Sequence, residues 1–221
     1  MADLQEQLAA LRRKIERIDR KYAAGPPAQR LPVDRRPARY FVEQWLSGEV
    51  VETPFGSHFE TERLYERHRR HGSMEISNLL ELPDDLLGPL SGGEAAPAPV
   101  SRWAFLDTET TGLAGGSGTY AFLIGVGSIC EEGFRVRQFF MRDYGEEPSL
   151  LHALAEYLRR FDVLITFNGK TYDQPLLETR YRMARARPPF DRLAHLDLLH
   201  GARRLWKLRL ESCRLVDLEN Q

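Results

Sequence analysis

The sequence is short of cysteine. Cys130 and Cys213 are the two among 221 residues, they lie far apart, and neither belongs to a CxxC. That argues against a disulfide framework and against a cysteine-built zinc site, and fits a reducing cytoplasm. There is no run of ~18 apolar residues, so no membrane helix is expected, and the charged start does not resemble a secretory signal. Net charge is almost absent: 31 Lys and Arg face 32 Asp and Glu. Any affinity for a polyanion must therefore come from local patches. No HExxH occurs, and no lysine follows the last glycine of the Gly112–Gly127 stretch, so a zincin helix and a P-loop are both missing. Gly125 and Gly127 lack the third glycine and the strand–helix setting of a dinucleotide fingerprint; a tight turn between two strands suits this stretch better. What remains is 42% hydrophobic and 29% charged, a globular composition in a chain long enough to bury a core without staples.

Three regions separate by composition. In residues 3 to 23, Leu4, Leu8, Leu11, Ile15, Ile18 and Tyr22 recur at alternating spacings of four and three, which predicts an amphipathic helix. The stripe suits either a helix docked on another part of the chain or the seam of a homodimer. Gly25, Pro26 and Pro27 end it. The organisation expected is an N-terminal helix over 1–24, a mixed segment and Pro/Gly/Ala linker over 25–100, and the part carrying the chemistry over 101–221. Within the mixed segment Phe41–Leu46 looks helical, and Val50–Phe59 reads as a strand pair around Pro54-Phe55-Gly56. His58, Glu60, Glu62, His68 and His71 suit either a cation site or a solvated, partly structural surface; Arg67, Arg69 and Arg70 disfavour the cation. Leu90–Val100 has the small residues, glycines and prolines of a linker with little to pack.

From residue 101 the pattern changes. Trp103–Leu106, Ala121–Ile129 and Phe134–Phe140 read as three strands. A helix follows from Ser149, its expected N-cap, then a strand over Val163–Phe167, a helix over Pro175–Ala186 and a last strand from Ala194 to Leu199 that runs into a helix. Three consecutive strands followed by alternation predict an α/β fold, a mixed sheet with helices on its faces.

Two constellations carry chemistry. Asp107-Thr108-Glu109-Thr110-Thr111-Gly112 follows a strand, and alternation puts Asp107 and Glu109 on one side of it. Two such carboxylates are either exposed acids in a turn or a seat for a hard divalent cation. Asn168-Gly169-Lys170-Thr171-Tyr172-Asp173-Gln174-Pro175 follows a second buried strand and opens a helix. Asp173 there is an N-cap, a third carboxylate beside Asp107 and Glu109, or both.

Together, DTETTG and NGKTYDQPLL resemble the first two motifs of the DEDD-type 3′–5′ exonucleases, which have a ribonuclease H-like fold. The wider pattern, including HLDLLHGARRLWKLRLESCRLVDLE, is similar to bacterial YprB-like ribonuclease H-like proteins over about residues 45 to 221. The resemblance implies a two-metal phosphodiesterase with two Mg²⁺ or Mn²⁺ ions. Asp107 would bridge both ions, Glu109 would hold the ion that activates water, and Asp173 would bind the second. Thr110, Asn168, Lys170 and Arg180 are the candidate nucleic-acid contacts, and the substrate implied is DNA or RNA with a single-stranded 3′ end.

The sequence departs from that family at its end. A fourth carboxylate, with a His or Tyr about four residues before it, is expected on a C-terminal helix. After Leu199 the acids are Glu211, Asp217 and Glu219, none in such a setting. His195 and Asp197 fall in a last-strand segment that usually is not catalytic. The expectation is a domain lacking its last motif, or one with a different fourth ligand. The alternative function is then a catalytically impaired nucleic-acid-binding protein. Between Arg180 and Arg214 ten basic residues face three acids, either an electrostatic footprint for phosphates or a solvated helix face.

Overall fold

The computed structural model describes residues 41–93, 96–112 and 118–219. The amphipathic stripe of residues 3 to 23, and with it the homodimer seam, lies outside them.

A single 3₁₀ turn, Val42–Gln44, stands where a helix was expected. The hairpin β1 (Glu49–Thr53) and β2 (Gly56–Glu66) follows. Next come the short strands β3 (Arg70–His71) and β4 (Met74–Glu75), a 3₁₀ segment Ile76–Glu81, and α1 (Leu87–Ser91). Then come β5 (Trp103–Thr110), β6 (Ala121–Cys130), β7 (Gly133–Phe140), α2 (Glu147–Leu158), β8 (Val163–Thr166), α3 (Asp173–Met183), β9 (Ala194–Asp197), α4 (Leu198–Trp206) and α5 (Leu215–Glu219). The order of three strands, helix, strand, helix, strand is the one expected.

The strands form a seven-stranded sheet in the order β1-β2-β7-β6-β5-β8-β9, alongside a separate β3–β4 pair. Pairing is antiparallel from β1 to β5 and parallel across β5–β8 and β8–β9. Gly125 and Gly127 sit inside β6 and not in a turn. The tight turn is at Glu131–Glu132, closed by Gly133, whose φ is +145°. A Cβ at Gly133 would lie 2.1 Å from the Tyr65 carbonyl oxygen, so glycine is what lets β2 dock on this hairpin.

Two cores sandwich the sheet. Ala104, Leu106, Ile124, Val126 and Phe139 pack with Leu150, Leu151, Leu154 and Leu158 of α2 and with Leu177 and Tyr181 of α3. On the other side Trp103, Ile129, Val163, Ile165 and Leu196 pack with Leu87, Ala98 and Val100. The Trp103 indole donates to the Ala98 carbonyl at 3.0 Å. The stretch expected to be an open linker is thus partly core, because Ala98 and Val100 cover the sheet. Residue 100 is not a boundary between two bodies either: β2 pairs with β7 from Phe59↔Phe140 to Glu66↔Gly133.

The hairpin is tied to α2 by buried polar bonds. His58 is fully buried; its Nδ1 lies 2.9 Å from Ser149 Oγ and its Nε2 2.9 Å from Glu60 Oε1. Ser149 accepts from Thr53 at 2.9 Å and donates to the Gly56 carbonyl at 3.0 Å. Ser149 is therefore no N-cap: α2 begins two residues earlier, and this hydroxyl reaches across to the hairpin. Nor does His58 belong to a solvated surface or a cation site.

Candidate active site

β5 delivers the first acids by alternation. Ala104 and Leu106 enter the core beneath α2 and α3, so Thr108 points the same way, while Phe105, Asp107 and Glu109 share the opposite face. Asp107 and Glu109 are exposed. Asp107 lines an open groove of 560 Å³ with Phe105, Gly125, Val136 and Thr166.

Asp173 arrives from the other side. Tyr172 occupies the N-cap position, so Asp173 is the first residue inside α3 and does not cap it. Pro175 fits the first turn, where an amide has no helical partner to lose. The Asp173 carboxylate turns toward β5, where Thr108 Oγ1 donates to Oδ1 at 2.6 Å. Asp173 is 8% exposed. Burial pushes its carboxyl above the usual carboxylate range, the Thr108 hydroxyl pulls it part of the way back, and the negative charge of Asp107 pushes it up again.

The turn between β8 and α3 is held from below. Asn168 adopts φ +69°, and a Cβ on Gly169 would fall 2.5 Å from Thr166 Cβ; an Asn-Gly pair satisfies both demands. Asp197, 3% exposed at the end of β9, accepts from the backbone amides of Asn168 at 2.7 Å, Lys170 at 3.0 Å and Leu199 at 3.0 Å. One carboxylate thus fixes the turn and caps α4. His195 bridges Thr166, whose Oγ1 lies 2.8 Å from Nε2, and Gln174 Oε1 beside Nδ1. Gln174 donates its Nε2 to Glu178 at 2.8 Å, which aims its oxygen at the ring. This network assigns the His195 proton to Nδ1. Burial, helped by the Lys170 charge and opposed by Asp197, lowers His195 to about 4, so the ring is neutral.

Residues 104–221, which carry the acids at the end of β5 and at the start of the helix after β8, match the RNase H superfamily. The chain belongs to the RNase H superfamily. That superfamily is one of nuclease-type hydrolysis of nucleic acid, and its nucleases usually use divalent metals. The chain is also similar to the uncharacterized protein YprB of Bacillus subtilis (strain 168), with 31% identity over 228 residues covering 96% of this chain and 53% of that protein. It thus spans about half the length of the curated relative it matches. Among the described residues no helix is long and apolar enough to cross a membrane.

Other expected site residues fall variously. Arg180 is 2% exposed and gives both Nε and Nη2 to the Glu147 carboxylate at 2.6 Å. It is not a surface contact for nucleic acid, a correction its position in the core imposes. Part of the basic stretch is likewise engaged within the chain: Arg192 donates to the carbonyls of Leu158 and Phe161, and Arg182 and Arg187 pair on the surface with Glu178 and Asp191. Arg203 lines a cleft of 410 Å³ with Phe167, Asn168 and Arg214. The Thr110 hydroxyl donates to the Gly112 carbonyl at 3.2 Å. Lys170 is exposed, and its backbone amide is held by Asp197. Asp217 is bound by Arg214 at 2.8 Å and held below the usual carboxylate range by it.

Among the described residues no group of three or more His, Cys, Asp or Glu side chains gathers as a metal cage. The donor set nevertheless suits Mg²⁺ or Mn²⁺. These hard ions take carboxylate oxygens and usually draw further ligands from water and substrate phosphates. A cation held there would offset the negative charge of Asp107 that is felt at Asp173. Sequence reasoning missed Thr108, and it named Asp197 without its role in holding the turn. The alternation that groups Asp107 with Glu109 also turns Thr108 to the α3 side, and Asp197-Leu198-Leu199 carries a readable helix-capping signal.

Proposed function

We propose that this chain is a divalent-metal-dependent 3′–5′ exonuclease that acts on nucleic acid by two-metal phosphodiester hydrolysis. The observation that carries this reading is the buried Asp173 carboxylate, tied to Thr108 and feeling the negative charge of Asp107 at the end of β5. Asp107 and Glu109 would hold one Mg²⁺ or Mn²⁺, and Asp107 with Asp173 the other. Bound there, the ions supply an activated water and charge stabilisation of the attacking and leaving oxygens. The protein supplies the frame. Thr108 orients Asp173, and Asp197 fixes the turn bearing Asn168. Asn168 and Arg203 border a cleft suited to the phosphates of a strand. His195, neutral and enclosed by Thr166 and Gln174, serves the turn and is not a base for water.

The engagement of Asp217 by Arg214 favours a second reading, a catalytically impaired nucleic-acid-binding protein. Digestion of 3′-end single-stranded DNA and RNA, labelled at the 5′ end, separates the two. The first reading expects Mn²⁺-dependent shortening from the 3′ end that Asp107→Ala abolishes. Strand binding with no metal-dependent difference between wild type and Asp107→Ala, on either substrate, contradicts it and supports the second.

A further inference from the structure

Tyr144 stands 59% exposed in the loop that leaves β7, and an ordered group of side chains lies behind it. Its ring meets the half-buried ring of Tyr120 at 4.5 Å between centroids. Tyr120 in turn lies 3.7 Å from the Arg180 guanidinium carbon, and Arg180 is clamped by Glu147 at 2.6 Å through both carboxylate oxygens. The result is a stack of contacts running from carboxylate to guanidinium to ring to ring, the two rings tilted by 43° to each other, with Tyr144 outermost in water.

The stack is fixed next to the acids. Thr111 donates its amide to the Tyr120 carbonyl at 3.0 Å, and Tyr120 donates its own to Thr111 Oγ1 at 3.1 Å. Ala121 pairs with Thr110 and Leu123 with Glu109, so Tyr120 leads into the strand beside the acidic end of β5. The Tyr144 turn is fixed as well: Asp143 accepts from the Gly145 amide at 2.9 Å.

We infer that Tyr144 and Tyr120 form a stacking platform for an unpaired base of the nucleic-acid strand whose 3′ end reaches Asp107. The inference rests on the nuclease reading and assigns residues of this chain to the discrimination between single and paired strands. A preformed tyrosine face backed by a cation accepts any base by its π surface, and a base inside a duplex cannot offer that surface. The platform therefore selects single strands.

The test uses the full chain without added metal, so that binding is read apart from cleavage. Single-stranded oligonucleotides carry 2-aminopurine at successive positions from the 3′ end, and a blunt duplex serves as comparison. The expected result is quenching at one position in wild type and Tyr144→Phe, lost in Tyr144→Leu together with about tenfold weaker binding. An abasic site at that position should bind as weakly to wild type as the intact strand does to Tyr144→Leu. Equal affinity and equal quenching for wild type and Tyr144→Leu at every position overturns the platform, as does an equal loss on the duplex. Asp107-dependent cleavage together with Tyr144-indifferent quenching refutes the platform alone. Tyr144-dependent quenching without Asp107-dependent cleavage refutes the nuclease reading alone.

Discussion

Glu147 and Asp173 occupy matching places and face opposite circumstances. Each is the first residue of a helix, α2 or α3, and each is 8% exposed. Glu147 meets a cation: both its oxygens accept from Arg180. Asp173 meets a hydroxyl, that of Thr108, and feels the negative charge of Asp107. A helix N-terminus favours negative charge, but it does not distinguish these two sites. The partner does. A buried carboxylate with an arginine clamped to it is complete as architecture. One that feels a second carboxylate leaves its negative charge uncompensated, and under the proposed function a bound cation would supply the missing charge.

The comparison breaks most sharply on Glu147. Glu147→Ala leaves Arg180 buried without its counter-charge, and the expected cost is about 3–5 kcal/mol of folding stability, read as a lower denaturant midpoint. Asp173→Asn should behave in the opposite way. It keeps an acceptor for Thr108 and removes the repulsion with Asp107, so the denaturant midpoint stays or rises slightly. Cleavage falls by at least about a hundredfold. Equal destabilisation by the two substitutions would erase the distinction.

How much of this could be read beforehand depended on distance along the chain. Asp107 with Glu109, and Asp173 at a helix start, follow from alternation and from turn chemistry within a few residues. The order of strands and helices after Trp103 was legible for the same reason. The fate of Arg180 was not, because its partner lies 33 residues away and a basic residue at a helix end looks solvated until the fold closes over it. The same holds for the β1–β2 hairpin. Its local pattern marks two strands, but its attachment to β7 rests on the approach of Gly133 to Tyr65, and its attachment to α2 on Ser149 reaching back to His58. The Leu90–Val100 stretch looked like a linker because alanine and proline carry little apolar weight, yet Ala98 and Val100 fill the gap beside Trp103.

A smaller effect sharpens the contrast at α3. His195 is lowered to about 4 from 6.5, so the fold favours its neutral ring. That contribution is fully present above pH 6.5 and is lost as pH falls through about 4. The raised Asp173 carboxyl contributes with the reverse sign: its share is fully present below its ordinary 3.8 and is lost as pH rises through its folded value. Thermal melts of wild type and His195→Gln should therefore diverge between pH 6.5 and about 4, with the variant showing the shallower loss. Parallel curves would mean the ring is not held neutral by its burial.

The central claim is that Asp107 and Asp173 form a cation seat where Glu147 and Arg180 form a finished pair. Melting in the presence and absence of Mn²⁺ tests it directly, since an ion bound by the folded state alone raises its stability. The account predicts a rise on the order of 5 °C for wild type at about a hundredfold excess over the dissociation constant, and a clearly smaller one for Asp173→Asn, which keeps only the Asp107 and Glu109 pair. An equal rise in both proteins, or none in wild type, would contradict it.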